Sequence, residues 1–583
     1  MKIGDKFKNI YTSIKKSFRR FPITIAVSIA LVVISIIINE KGFGLSVDTR
    51  NIYERIRMII GLGIPLSLCI QLIYEQNPNL KGHHKILAYI LGAGFLVFYY
   101  KFLLKDFNMV NTVRYMVVSL FFYLAFTYIP WLKRKEDYEY YIIKVFSSFF
   151  LTAIYSFVLL MGLFAIFFTI DQLFNANIPR KIYYYSFLVV GGIFAPSNFL
   201  ARIPEIDEDF EEYSYPKGLK VLLLYIVIPL ISIYTLILYI YFGKILITRN
   251  WPQGIVSHLV LWYSTVSVAV IFFISPILDE NKWANRFKSW FPKFNIPILI
   301  MMFVSMGIRI KEYGITENRY FALILGLWVL GIMLYFIFSK KLRNIIIPIL
   351  LSVIVINSGF GPLSSFSVSM RSQNHRLKSI LVKNHMLVDN KIVDIESING
   401  EDKEEISGIL DYFQKNHSLR NVKYLPKDFE IDDMEGVFGF PYVEANISKD
   451  DYYYFATEYE GQSVIDVKGY DYFIESYKVY RRNLKIDHMD ASYDMENMVF
   501  KLSEDGSKVY EANMKAYGEK IMEKNKENLN KTRDLINLED AIIIDESQDL
   551  KIKYIINNIS GKKDSEGKIN VENMEFSILI KIK

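Results

Sequence analysis

The chain has 583 residues, 52% of them hydrophobic and 22% charged, with one cysteine and a formal net charge of +7. That charge is divided: residues 371–583 hold 31 Lys and Arg against 41 Asp and Glu, which leaves 37 basic and 20 acidic residues in the first 370. One cysteine excludes an internal disulfide and a cysteine-based metal site. Basic apolar segments beside an acidic C-terminal part argue against nucleic acid and for a lipid bilayer as partner.

After a basic N-terminus, residues 1–20, the chain reads as a ladder of apolar runs. They are Phe21–Ile38, Met58–Tyr74, Ile86–Tyr100, Tyr115–Trp131, Val145–Ile170, Tyr183–Leu200, Val221–Tyr241, Ile255–Ile277, Ile296–Ile310, Tyr320–Phe338 and Ile345–Ile356. Most have the length a helix needs to cross a hydrocarbon core about 30 Å thick, so the pattern predicts about eleven helices over residues 21–357. The first run ends in Asn39-Glu40-Lys41 with no small-residue cleavage site, so it is expected to stay as a helix and not to act as a signal peptide. Basic clusters such as Lys133-Arg134-Lys135 and Lys340-Lys341 fall on one side when the N-terminus is cytoplasmic. An odd number of crossings then puts the C-terminal domain outside the cell membrane. Prolines 65, 130, 196, 229, 276, 297 and 348 lie within or at the ends of the runs, and charge at mid-membrane depth is almost absent. The latter counts against an ion-coupled pump.

Gly359-Phe360-Gly361-Pro362 opens a different region, residues 358–583, expected to be a soluble α+β domain that divides near 485–495. Glu401–Asn416 has helical spacing. Asp451–Ala456, Ser463–Val467 and Asp471–Tyr480 are rich in β-branched and aromatic residues and predict strands. Met498–Leu502 and Lys508–Ala512, joined by Glu504-Asp505-Gly506, predict a hairpin. Met514–Arg533 predicts a charged helix, and Ala541–Ile544, Lys551–Asn557 and Glu575–Lys583 predict closing strands. The fold class expected is therefore mostly α: a polytopic transmembrane bundle followed by an α+β domain.

Several stretches are similar to one bacterial membrane family. They are Trp251-Pro252-Gln253-Gly254, Ser275-Pro276, Arg309 to Tyr320 (RIKEYGITENRY), Gly361-Pro362 with Ser372-Gln373 and Arg376-Leu377, and Gly469-Tyr470-Asp471-Tyr472-Phe473. The chain resembles the multi-pass family known as domain of unknown function 4153 over most of its helices and to about residue 475. The resemblance implies a multi-pass bacterial membrane protein and carries over no activity.

The Arg309–Tyr320 stretch is the most specific of these. Arg309 and Glu312 are spaced i,i+3 and can pair on a helix face. Gly314 can supply the left-handed residue that ends a helix, and Thr316 with Glu317 can open the next. One reading is a tight, well-capped hairpin. Another is docking of the soluble domain. A third is a polar, aromatic-rimmed site for an anionic group, because the planar guanidinium suits phosphate or carboxylate. The candidate ligand-binding residues are Arg309, Glu312, Tyr313, Glu317 and Arg319, with Trp251 and His258 from a neighbouring loop and helix on the same face. His83-His84 point in different directions, and the acidic run Glu205–Glu212 lacks a calcium-loop pattern. No nucleophile, zinc, Walker or dinucleotide motif is present, so no catalytic residue, metal or cofactor is expected. The leading expectation is a non-enzymatic binding or coupling protein with an envelope ligand or protein partner. A carrier of an anionic or amphiphilic solute, and a transferase at the outer leaflet, are the alternatives. The sequence leaves the oligomeric state open.

Overall fold

The computed structural model describes residues 15–41, 46–77, 79–80, 82–132, 137–206, 208, 210, 213–249, 255–339, 341–393, 398–443, 452–458, 465–481, 483–495, 497–524, 534–563 and 569–583. The chain forms two compact units, Met1–Val393 with Ile409–Glu430, and Asp394–Gly408 with Ile431–Lys583.

Eleven helical segments follow one another in the first unit. They are α1 Pro22–Lys41, α2 Val47–Glu75, α3 Gly82–Leu103, α4 Met109–Trp131, α5 Tyr138–Phe174, α6 over residues 180–200, α7 Lys217–Thr248, α8 Ser257–Ile277, α9 Lys282–Tyr313, α10 Glu317–Phe338 and α11 Ile346–Gly359. Among the described residues, all but α6 and α11 are long and apolar enough to cross a bilayer. The segments correspond to the eleven apolar runs, but several extend past them. A helix satisfies its own backbone groups, so nothing forces it to stop where the apolar side chains do. Thus α2 starts at Val47, where Ser46 accepts from Thr49 N, well before the run at Met58.

Helices in lipid gain little from apolar burial and rely on close packing and polar ties. Three of these helices contain a π-helical turn: Tyr99–Leu103 in α3, Val190–Phe194 in α6 and Leu222–Val227 in α7. Such a turn leaves a backbone carbonyl without its usual partner. In α6 the Ser28 hydroxyl of α1 donates to Gly192 O at 2.5 Å. Only glycine permits this approach, since a Cβ at 192 would lie 2.3 Å from Val32 Cγ2. Arg20, at the foot of α1, forks onto Glu75 at the end of α2 (Nη2–Oε2 2.8 Å) and donates to Ile203 O at 2.6 Å. By contrast, the most apolar stretch of α5 has no buried residue.

A further helix, α12 Ser365–Lys383, belongs to this unit and was not among the expected elements. Its buried face mixes Phe366, Leu377 and Leu381 with Ser369, Gln373 and Asn374, so its period is hidden from a reading based on apolar residues. The short hairpin β1 Leu387–Val388 and β2 Lys391–Ile392 follows it. Helix α13, Gly400–Asn416, then buries Ile406, Ile409, Leu410 and Phe413 at helical spacing, as expected.

The second unit contains α14 Met434–Phe438, then β3 Tyr452–Glu458, β4 Tyr472–Glu475, α15 Ser476–Arg481, β5 Leu484–Ile486, β6 Met489–Asp494, β7 Val499–Glu504, β8 Ser507–Asn513, α16 Met514–Lys524, β9 Asp534–Asn537, β10 Ile542–Glu546, β11 Leu550–Lys563 and β12 Ile569–Ile582. One sheet has the order β4-β12-β11-β3-β9, with β10 also on β11, and the other is the meander β5-β6-β7-β8. They share a single core, in which Phe500 of one sheet meets Tyr554 of the other. The boundary expected near 485–495 falls on the first hairpin of the meander.

The Asp505-Gly506 turn joins β7 to β8 as expected, with positive φ at both positions (47° and 80°), the geometry of a two-residue hairpin turn. The strand expected over Asp471–Tyr480 ends at Glu475 and becomes α15. The helix buries Val479, sends the Tyr480 hydroxyl to Met574 O at 2.7 Å, and leaves Lys478 exposed on its outer side. Residues 465–467 are not strand, and the rest of the expected Ser463–Val467 strand lies outside the described residues. The helix expected over Met514–Arg533 is described to Lys524.

Candidate functional site: arginines around Tyr313 on a capped hairpin

The hairpin between α9 and α10 is built as its residues dictate. Gly314 ends α9 with φ +69° and its N–H bonded to Ile310 O. Thr316 is the N-cap of α10 and Glu317 lies in its first turn. Helix α12 then clamps the turn. The Ser372 hydroxyl accepts from Ile315 N at 2.8 Å, and the Gln373 amide donates to Tyr313 O at 3.0 Å and Ile315 O at 3.2 Å. A Cβ at Gly314 would lie 2.9 Å from the Gln373 amide nitrogen. The turn therefore has one conformation, held by side chains nearly sixty residues away.

Around this turn the arginines gather. Arg319 donates from Nη1 to Gly314 O at 2.8 Å and Tyr313 O at 3.3 Å, and its guanidinium lies 5.4 Å from the centre of the Tyr313 ring. The Arg376 guanidinium, from α12, lies 5.9 Å from the same ring. Arg309 is close enough that its charge acts on both Arg319 and Tyr313. Among the described residues Arg309 and Glu312 form no ion pair, and Glu312 lies instead beside Tyr313. Tyr313 itself is 43% exposed, so the cluster is open to an incoming group. Guanidinium groups repel one another, and a neighbouring anion offsets that repulsion, as the Glu312 carboxylate does at Arg319.

Glu317 goes elsewhere. It is buried, and its carboxylate accepts from the Tyr412 hydroxyl at 2.7 and 2.9 Å and from His417 Nε2 at 2.8 Å. Tyr412 and His417 also approach each other, at 3.0 Å. An ionised carboxylate only accepts, so this geometry puts the imidazole proton on Nε2. Burial first, and then the Glu317 charge, hold the Tyr412 phenol protonated well above the usual range. Asn374 of α12 ties down the same segment, donating to Asn421 O at 3.0 Å and accepting from Lys423 N at 2.6 Å. The triad is therefore an anchor beneath the hairpin and offers no exposed base.

His258 is exposed on α8, and among the described residues no hydrogen bond or ion pair joins it to the hairpin. Trp251 lies outside the described residues. The residues not singled out as site candidates are Arg376, Ser372, Gln373, Tyr412 and His417. The first three sit in stretches that carry the family resemblance, which was the available signal.

These features define a multi-pass integral membrane protein with a C-terminal α+β domain and a clamped, arginine-rich hairpin between two of its helices. The chain belongs to the family described as a domain of unknown function, DUF4153, which matches residues 26–388. That span contains the hairpin and α12 but neither Tyr412 and His417 nor the Gly469–Phe473 stretch. An uncharacterised protein of Pasteurella multocida (strain Pm70) is 26% identical over 159 residues, 27% of each chain, so the match spans about a quarter of that relative. No solved structure matches the chain.

Proposed function

We propose that this protein is a binding and coupling protein of a bacterial cell membrane, which recognises an anionic group through Arg309, Arg319 and Arg376 around Tyr313. The observation that carries this is the position of two guanidinium groups 5.4 and 5.9 Å from one exposed tyrosine ring on a hairpin with fixed backbone. Glu312, bonded to Tyr313, would compete with that anion for Arg319 and so set how strongly it binds, and Glu317 would act through the buried anchor rather than by contact. A phosphate or carboxylate on an envelope amphiphile or polymer fits this chemistry. The test uses the full-length protein in detergent, with inorganic polyphosphate and polyglutamate as probes. One of them should bind and raise the unfolding temperature. Each charged hydrogen bond lost costs about 1.5–3 kcal/mol, so R319Q/R376Q should weaken that binding by roughly tenfold or more. Equal binding by the double variant would end the proposal.

The same reading places the N-terminus in the cytoplasm and the α+β domain outside, supported by basic loops on one side and an odd number of helical segments. Ser507 is exposed at the start of β8. A Ser507→Cys variant in a Cys69→Ala background should react with a membrane-impermeant thiol reagent in intact cells. Reaction only after lysis would place the domain in the cytoplasm.

A further inference from the structure

We infer that a groove between α7 and α9 is a binding site for an anionic glycerophospholipid. It is independent of the arginine hairpin and lies toward the other end of α9. The groove has a volume of about 530 Å³. One wall is formed by Ser232, Thr235 and Tyr239 of α7, and the other by Trp283, Trp290 and Phe294 of α9. Arg286, one turn from Trp283, is the sole charged residue lining it among the described residues.

Three observations select the occupant. First, the walls belong to helices long and apolar enough to cross a bilayer, and they face outward: Leu236 and Trp290 are each 61% exposed. Lipid is therefore the phase that covers them. Second, the groove is preformed. The Trp283 indole N–H donates to Leu224 O at 3.2 Å, a carbonyl within the π-helical turn of α7, and the Tyr239 hydroxyl donates to Phe294 O at 2.8 Å. These two bonds tie the walls together at both ends and hold the aromatic rings in place. Third, the lining pairs one cation with aromatic rings. From Trp283 to Phe294 is about 16 Å at 1.5 Å per residue, and this stretch leads into the apolar run of α9 that begins at Ile296. The guanidinium lies near one end, close in sequence to Lys282 and Lys288, the rings of α9 line the rest, and Lys293 reaches over the Trp290 ring at 5.7 Å. That matches a molecule with an anionic head and an acyl tail. Tryptophan and arginine at a helix end are the residues that hold lipid head groups.

The experiment reconstitutes the full-length protein into nanodiscs containing dibrominated phosphatidylglycerol or dibrominated phosphatidylcholine at equal mole fraction. Quenching of tryptophan fluorescence is the readout. The wild type should favour the phosphatidylglycerol by roughly fivefold, the effect of one juxtamembrane arginine. R286Q should abolish the preference, and R286K should retain most of it. Ser232→Phe, which fills the groove without removing the charge, should also abolish it, so the result does not depend on one variant. No preference in the wild type would overturn the proposal. So would full preference in both R286Q and Ser232→Phe, which would show that anionic lipid collects on the protein without using the groove.

Discussion

Replacing Glu317 with alanine should destabilise the helical unit by about 1–3 kcal/mol for each of the two donors, the Tyr412 hydroxyl and His417 Nε2, that it leaves without an acceptor. The residue is 6% exposed, and the side chains of Glu317 and His417 are 7% and 2% exposed. Without the carboxylate, the half-buried Tyr412 hydroxyl and the buried His417 Nε2 lose their acceptor. Alanine also frees residues 409–430 from the hairpin that the arginines surround. Glu317→Gln should cost less, because its amide oxygen still accepts one of the two bonds. The readout is built into the chain: Cys69 is the sole cysteine, is 4% exposed, and reacts with a thiol dye only as its surroundings open. The alanine variant should show a lower dye-labelling temperature in detergent, with the glutamine variant between it and wild type. An unchanged temperature for Glu317→Ala would mean that the triad contributes nothing to holding the unit together.

Phe576→Ala should have an effect of similar size on the other unit. Phe576 is fully buried on β12 and packs edge-on against Tyr493 of the meander and Tyr554 of β11. Removing the ring takes away its transfer free energy and leaves a cavity between two sheets, at a cost of about 3–5 kcal/mol. Because the sheets share one core, both should open together. Limited proteolysis of the full-length variant should cut rapidly within residues 452–583, while the membrane helices stay protected and the protein stays in the membrane fraction. Cutting confined to the meander would show that the two sheets are separately stable and that the shared core is not the basis of the unit.

The eleven helical segments were legible in the residues because the bilayer imposes a one-dimensional rule: a stretch of apolar side chains of sufficient length becomes a helix whatever its neighbours do. The Asp505-Gly506 hairpin was legible for a similar reason, since its geometry is set by two adjacent residues. The caps of the α9–α10 hairpin at Gly314 and Thr316 were local too. Where a reading failed, a distant partner decided. Ser476–Arg481 has strand-like composition but turns helical to place Val479 in the core and Tyr480 against β12. Helix α12 was hidden because its buried face carries serine, glutamine and asparagine, which are inside only because the hairpin and residues 421–423 need their hydrogen bonds.

The site divides in the same way. Arg309, Glu312, Tyr313 and Arg319 lie within one short stretch, so the sequence alone determined that cations and an aromatic ring would meet at that helix end. Arg376 reaches the same ring from another helix, and the partners of Glu317 come from 95 and 100 residues away. Only the tertiary structure decided that Glu317 is an anchor and not an exposed base. A carboxylate in the first turn of a helix has the same local chemistry whether it faces water or a buried histidine. Which of the two it faces depends on what packs above it.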